Sequence, residues 1–253
     1  MNNFRIIPIL LYRDGGLYKS VKFKNHNYIG DPINTVKIFN DKEVDELIIL
    51  DISDDKLILE PNYSLIKELA TECFMPICYG GKISNIEQIR KILSLGVEKV
   101  AINTNAVLKP DLIKRAVEEF GSSTIVISTD VKKNIWGAYE IHINNGKKNT
   151  KIDPFTFVKK MEAIGAGEIL INSIDRDGMM LGYDIELITR ITSIVNLPII
   201  ACGGAGSLND FKNAIYDGKA SAVAAGSMFV YHGKLKGVLI NYPSQLEIKS
   251  LSL

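Results

Sequence analysis

Four aspartates follow short apolar runs of the sequence, where buried strands are expected to end. They are Asp51, Asp130, Asp175 and Asp177. A carboxylate at such a place can take a proton from an attacking group, return one to a leaving group or bind a ribose hydroxyl. Asp130 is the strongest candidate, because Thr129 and Val131 place it within its strand, whereas Asp177-Gly178 is equally typical of a plain turn.

Two glycine pairs are candidate phosphate sites. Gly80-Gly81 and Gly203-Gly204 each follow an apolar run and precede a helix signal, and glycine amides at a helix start favour an anion. Asn103-Thr104 and Gly226-Ser227 follow the next runs and would complete two pockets. Two pockets would suit an elongated ligand with a phosphate at each end, although the glycines could simply form tight turns. Lys82 stands where a third glycine is expected and weakens the first pocket.

A charged set lies at the opposite ends of the same runs. Four residues lie at the starts of predicted strands, and their charges sum to zero: Arg5, Glu46, Lys99 and Glu168. In a closed barrel they could form an ion-pair gate below an apolar passage for a small neutral molecule. Spacing alone instead favours ordinary solvated charges at the rim, which contribute little to stability.

These residues require a scaffold that brings strand ends together. Short β-branched runs alternate with helical stretches, which is typical of successive βα units. The predicted strands are 5–11, 46–51, 76–79, 98–102, 124–130, 167–172, 198–202 and 221–225. Helix starts are indicated at Asp31-Pro32, Ser84-Asn85, Lys109-Pro110, Asp153-Pro154 and Ser207-Leu208. Eight parallel strands predict an α/β protein with a single (βα)8 TIM barrel over residues 1–253; an open doubly wound sheet would share most of these signals.

An internal repeat suggests two similar half-barrels, at about residues 1–120 and 121–253. Residues 76–81 (PICYGG) match residues 198–204 (PIIACGG) with one residue inserted, about half the chain apart. The same repeat makes Leu11 equivalent to Asp130, at the mouths of strands 1 and 5. Leucine cannot move a proton, so one of two equivalent carboxylates is missing.

Composition excludes several classes of function. Thirty Lys plus Arg against 29 Asp plus Glu leave a net charge of +1, without the basic surplus of a nucleic-acid-binding protein. Three cysteines without a C-x-x-C pair, and three histidines, form no recognisable zinc pattern. Neither a signal peptide nor a membrane span is indicated. We therefore expect a cytoplasmic protein without a metal, a cofactor, a nucleic acid or a membrane as partner.

Short stretches along nearly the whole chain carry a family resemblance. They are RIIP at 5–8, Lys19, Gly30-Asp31-Pro32, DELIILDI at 45–52, INT at 102–104, Asp130 with Lys132, GKKNT at 146–150, SIDRDG at 173–178, GYD at 182–184 and GGAG at 203–206. The chain resembles the cyclase subunit of imidazole glycerol phosphate synthase, a (βα)8 barrel. The resemblance implies a HisH-like glutaminase subunit on the N-terminal face and an ammonia gate formed by Arg5, Glu46, Lys99 and Glu168.

The resemblance also implies a reaction at the C-terminal face. Ammonia adds to a bisphosphorylated aminoimidazole carboxamide ribonucleotide, and an aspartate pair at positions 11 and 130 assists cyclisation and cleavage. The implied phosphate- or substrate-binding residues are Lys19, Asp51, Gly80, Gly81, Asn103, Thr104, Asn172, Asp177, Gly203, Gly204, Gly226 and Ser227. This chain departs from the family at Leu11, Lys82, Asn172 and Met179.

Other stretches resemble a paralogous branch of the family. They are LLYRDGGL at 10–17, VKFKN at 21–25 and the ending at 224–243. That branch is associated with surface polysaccharide synthesis, where the barrel and a glutaminase supply ammonia to a third protein that makes an acetamidino sugar. Three hypotheses follow: an ammonia-conducting subunit, a working cyclase of histidine biosynthesis in which Asp130 serves both roles, or a structural partner that only activates the glutaminase. The sibling isomerase ranks behind the cyclase-like branch, because the GKKNT hairpin and the gate residues favour the latter.

Overall fold

The computed structural model describes residues 4–54, 60–233 and 235–251, and a closed barrel of parallel strands lies at its centre. The barrel strands are β1 (Arg5–Arg13), β2 (Leu47–Asp51), β3 (Ile77–Gly80), β4 (Lys99–Ile102), β5 (Ile125–Lys133), β6 (Glu168–Ser173), β7 (Ile199–Cys202) and β8 (Ala222–Ala225). Each barrel strand pairs with the next one along the chain, including β5 with β6. The last strand, β8, pairs with β1, which closes the barrel. The predicted barrel is confirmed, and each strand begins at or next to its predicted start.

Helices surround the barrel, and all but the last two connect one barrel strand to the next. They are α1 (Pro32–Asp41), α2 (Tyr63–Glu72), α3 (Ile86–Ser94), α4 (Thr104–Leu108), α5 (Pro110–Phe120), α6 (Pro154–Ile164), α7 (Ile185–Thr192), α8 (Leu208–Lys212), α9 (Ser227–Val230) and α10 (Gln245–Lys249). The five predicted helix starts are confirmed at α1, α3, α5, α6 and α8. In the described part of the chain, none of the helices is long and apolar enough to cross a membrane.

Strand β1 shows why the barrel strands are continuous apolar runs in the sequence. Ile6, Leu10 and Tyr12 point outward and pack in the core between barrel and helices, whereas Ile7 and Ile9 point into the barrel. Both faces of each strand are thus buried, which removes the alternation of polar and apolar residues. The same alternation sends Leu11 to the inner face, at the C-terminal end of the barrel.

Two hairpins extend the C-terminal end of the barrel. The first follows β1, with strands Gly16–Val21 and Lys24–Gly30, and was not predicted from the sequence. The second follows β5, with strands Tyr139–Ile143 and Lys148–Asn149. Two further short strands, Tyr231–His232 and Gly237–Val238, pair with each other after α9.

Matching positions in the two halves have the same local geometry. Gly81 and Gly204 both have φ of +119°. Asp31 and Asp153 both precede a proline, and each side chain accepts a hydrogen bond from the backbone N–H three residues on. The division of the chain into two similar half-barrels stays a prediction.

Candidate active site at the C-terminal mouth of the barrel

A cavity of about 800 Å³ opens at the carboxyl ends of the barrel strands. Most of the predicted site residues line it: Leu11, Lys19, Asp51, Gly81, Asn103, Thr104, Asp130, Asn172, Asp177, Gly203, Gly204, Gly226 and Ser227. Gly80 lies elsewhere. It is buried within β3, and a Cβ added there would come within 2.7 Å of Leu50 and 2.8 Å of the Ala101 carbonyl oxygen. Gly80 therefore allows close packing inside the barrel, and its predicted ligand contact has no support from the geometry.

Asp130 points inward from β5 and is buried at the base of this cavity. The Asn103 amide donates to its Oδ2 at 3.1 Å, and the Asn172 amide lies 3.4 Å from its Oδ1. Burial, with the nearby negative charge of Asp177, raises the pKa of Asp130 to about 7, although the two amides oppose the shift. A carboxyl group with a pKa near neutrality is suited to general acid/base work.

The wall across from Asp130 is apolar. In the closed strand order, β1 and β5 lie on opposite sides of the barrel. Leu11 lines the cavity from β1, and its register partner on β2 is Leu50, which also lines it. Asp14 lies beyond the strand on an exposed turn, where its carboxylate contacts the Arg13 Nε at 3.2 Å. Asp14 therefore does not replace the missing carboxylate.

Lys19 reaches the mouth from the first hairpin and is buried. Its ammonium group donates to the Ile9 carbonyl, and a Cβ added at Gly226 would come within 2.2 Å of its Nζ. Burial lowers the pKa of Lys19 to about 8, although the charge of Asp177 opposes the shift. The Ser20 hydroxyl donates to Asp177 at 3.1 Å. A buried cation therefore lies directly beside the predicted Gly226-Ser227 phosphate site.

The second glycine pair forms a turn that only glycine fits. Gly203 and Gly204 have φ of +86° and +119°, and a Cβ at Gly204 would lie 2.2 Å from the Gly182 carbonyl oxygen. The turn requirement alone thus explains these glycines. Both residues also line the cavity, so phosphate binding stays a prediction.

The second hairpin brings polar groups that the residue types alone did not reveal. The Asn144 backbone N–H donates to the Thr104 hydroxyl at 3.1 Å, and the Asn145 amide donates to the Ile52 carbonyl at 3.0 Å. Lys147 forms an ion pair with Asp54 across the mouth. The sequence offered one signal for this region, the GKKNT stretch at 146–150, and it came from the family resemblance.

The four predicted gate residues form a closed ring at the other end of the barrel. Arg5 contacts Glu46 and Glu168 at 2.5 Å each. Lys99 contacts the same two carboxylates at 3.1 Å each. Each charge thus has two partners of opposite sign, and the Glu46 side chain is only 3% exposed. The four side chains are therefore a partly buried network and not separate solvated charges at a rim.

Apolar side chains fill the barrel between ring and mouth. They are Ile7, Ile9, Ile48, Cys78, Ala101, Val126, Leu170, Ile200, Cys202, Ala222 and Ala224. Charged groups thus lie at both ends of a barrel whose middle favours neutral molecules.

Comparison with known proteins identifies the family. Residues 5–236 match the family model of the histidine biosynthesis proteins. The chain is a HisF-type member of this family. It is 53% identical over 239 residues to a Pseudomonas aeruginosa protein provisionally named imidazole glycerol phosphate synthase subunit hisF2, covering 94% of this chain and 95% of the relative. A Leptospira borgpetersenii protein with the provisional name of subunit HisF is 49% identical, with 98% of each chain covered.

The imidazole glycerol phosphate synthase subunit HisF of Alkaliphilus metalliredigens is also similar. It is 39% identical over 231 residues, with 90% of each chain covered. In this HisF-type barrel the residues resembling the cyclase site therefore share one cavity, with Gly80 as the exception. Leu11, Lys82 and Asn172, three of the four departures from the family pattern, line that same cavity.

Proposed function

We propose that this HisF-type barrel accepts ammonia from a HisH-like glutaminase and delivers it to an acceptor other than the cyclase substrate. One observation carries the proposal: the charged end of the barrel is complete, while the mouth has Leu11 where an acid is needed. General acid/base assistance contributes roughly 10²- to 10⁴-fold to a rate, so a mouth that keeps Asp130 but lacks its paired carboxylate at position 11 should cyclise poorly.

The chemistry of the barrel favours neutral ammonia over the ammonium ion. The ring of Arg5, Glu46, Lys99 and Glu168 offers hydrogen bonds where ammonia would enter. The apolar interior above it penalises any charged species strongly. A glutaminase docked over the ring would place its product at the start of this route.

For the acceptor we propose an acetamido sugar of surface polysaccharide, aminated by a third protein, a sugar amidotransferase. Support comes from the resemblance of the stretches at 10–17 and 21–25 to the polysaccharide-linked branch. These stretches contain the turns at both ends of the hairpin strand that carries Lys19. A phosphorylated ligand at this mouth would contact Lys19 and the glycine turns. Three cysteines without disulfides suit a cytoplasmic site for this chemistry.

The test is competition between two sources of ammonia. The chain, its glutaminase and the sugar amidotransferase receive glutamine labelled with ¹⁵N in the amide, in an excess of unlabelled ammonium. A route through the barrel gives product that carries mostly ¹⁵N, because the ammonia does not mix with solvent. Product whose ¹⁵N fraction equals that of the mixed ammonium in solution would contradict the proposal, because the ammonia would then have mixed with solvent before it reacted.

A matched pair of variants locates the route. Lys99→Met removes one member of the ring and should lower the labelled fraction. Lys114→Met removes an exposed lysine of α5 and should leave the fraction unchanged. An equal effect of both substitutions would place the route outside the ring.

A working cyclase of histidine biosynthesis is the second candidate. The observation that favours it is the pKa of Asp130, raised by burial to about 7, which would let one carboxyl group act as acid and base in turn. Cyclase turnover by the unmodified chain would support this candidate over the first.

A further inference from the structure

Lys82 adopts a backbone conformation that side chains with a Cβ rarely adopt. Its φ is +57°, in the left-handed region, directly after Gly81. The turn is fixed on both sides. A Cβ at Gly81 would come within 2.4 Å of the Asp51 carbonyl oxygen, and the Asn105 amide donates to the Ile83 carbonyl at 2.7 Å. The surroundings therefore impose a conformation in which glycine would be more stable.

Lys82 differs from the other lysines with a positive φ in the described part of the chain. Those are Lys22, Lys151, Lys219 and Lys236, and all four are exposed. The side chain of Lys82 is 15% exposed and lines the mouth cavity. Backbone strain retained at a binding cavity, and not on an exposed turn, is a feature of functional sites.

The ammonium group of Lys82 is only loosely engaged. Its Nζ lies 3.9 Å from Oδ2 of Asp51, beyond hydrogen-bond distance. Asp51 has closer partners, because its Oδ1 accepts from the Ser53 backbone N–H at 2.9 Å. The Tyr79 hydroxyl lies 3.5 Å from Oδ2. The lysine therefore keeps donors available for a group in the cavity.

We propose that Lys82 is a specificity-determining residue that binds a phosphate-type anion of the ligand, on the side of the mouth formed by Gly81, Asn103 and Thr104. The inference rests on the proposed function in one respect, namely that a ligand binds at this mouth. A lysine binds phosphate as a point charge, and here it would add to the donors of the neighbouring turn. Lys19 lies beside Gly226, at the other predicted phosphate pocket. The cavity thus offers one lysine to each end of a ligand with two anionic groups.

The test is a titration of the full chain with inorganic phosphate, followed by the backbone amide resonances in ¹H–¹⁵N spectra. The amides of Gly81 and Asn103 report one side of the mouth, and those of Gly203 and Gly226 report the other. Lys82→Gln should weaken binding at the first pair about tenfold or more, as expected for a lost charge-assisted hydrogen bond, and leave the second pair unchanged.

Matched controls keep the result specific. Lys219 has the same φ of +57° but is exposed, so Lys219→Gln should bind phosphate as the unmodified chain does. Lys82→Arg keeps the charge and should retain binding. Unchanged binding at Gly81 in Lys82→Gln, or no binding there in the unmodified chain, would overturn the proposal. Acetate shifting these amides more strongly than phosphate would overturn the assignment to a phosphate-type anion.

Thermal unfolding separates ligand binding from a structural ion pair. Lys82→Gly and Lys219→Gly both relieve left-handed strain, and each should raise the unfolding midpoint by about 2–4 °C. A lower midpoint in Lys82→Gly would mean that the lysine is retained for its contact with Asp51, and would overturn the proposal. Neither the phosphate titration nor the unfolding measurement involves ammonia or a glutaminase. A failure of the proposal for Lys82 is therefore distinguishable from a failure of the proposed function.

Discussion

Asp130 should make the protein less stable at alkaline pH than at acidic pH. The substitution that reveals this is Asp130→Asn, which removes the titrating group and keeps a side chain of similar shape. The Asn103 amide can keep donating to the oxygen of the new side chain. The Asn172 amide can rotate so that its oxygen accepts from the new NH₂ group. Any stability gained therefore reports the cost of a buried carboxylate and not a change in packing.

The sign and size follow from the pKa of Asp130. Burial raises it from 3.8 to about 7, so between these values the unfolded chain has lost its proton while the folded chain keeps it. The folded state therefore loses stability as the pH rises through this window, and the loss is complete above pH about 7. At about 1.4 kcal/mol for each pH unit, the full cost is roughly 4 kcal/mol, of which roughly 3 kcal/mol appears between pH 5 and pH 8.5.

Urea unfolding of both chains at pH 5 and at pH 8.5 measures this difference. We expect Asp130→Asn to gain roughly 3 kcal/mol more at pH 8.5 than at pH 5. Leu11→Asn is the control, because it changes the same cavity without removing a titrating group. A gain that is equal at the two pH values would refute the inference that Asp130 is protonated in the folded protein near neutrality.

Three further predictions concern the ring, a turn and the mouth. Glu46→Gln should lower the free energy of unfolding, measured in urea, by about 2 kcal/mol. The loss is smaller than for a fully buried ion pair because Arg5 is partly exposed. A loss below about 0.5 kcal/mol would mean that the ring is solvated. Gly204→Ala should destabilise by at least about 2 kcal/mol more than Gly121→Ala. Both glycines have a positive φ, but only a Cβ at Gly204 would overlap a carbonyl, that of Gly182, so equal costs would contradict this. Phosphate affinity at the mouth should fall as the pH rises through about 8, where Lys19 loses its proton. If the affinity stays constant over this range after correction for the titration of phosphate itself, the contact between Lys19 and phosphate is contradicted.

The sequence was sufficient for the barrel and for the residues at its strand ends. Runs such as β1 have two buried faces, so their apolar character and their ends are visible without a structure. Once strand alternation is known, positions 11 and 130 must face the interior, and the structure confirms that both line one cavity.

Other features depended on contacts that residue types do not encode. The second strand of the first hairpin carries Lys24, Asn25 and Asn27, so its pattern does not predict a strand, although Asp14-Gly15 before the first strand is a hairpin turn signal. Lys19 is buried only because that hairpin folds over the mouth. Its place among the predicted site residues came from the family resemblance alone. Whether Arg5 and Glu168 pair or remain solvated depends on barrel closure, which spacing alone cannot supply.

The measurement that tests the central claim most directly is turnover of the bisphosphorylated aminoimidazole carboxamide ribonucleotide with free ammonium, which removes the need for a glutaminase. The unmodified chain, Leu11→Asp and Leu11→Asn are compared, since the two variants differ in the carboxylate alone. We expect imidazole product from Leu11→Asp only. Product from the unmodified chain would contradict the claim that this barrel has lost its cyclase chemistry, and would make Asp130 a sufficient acid and base.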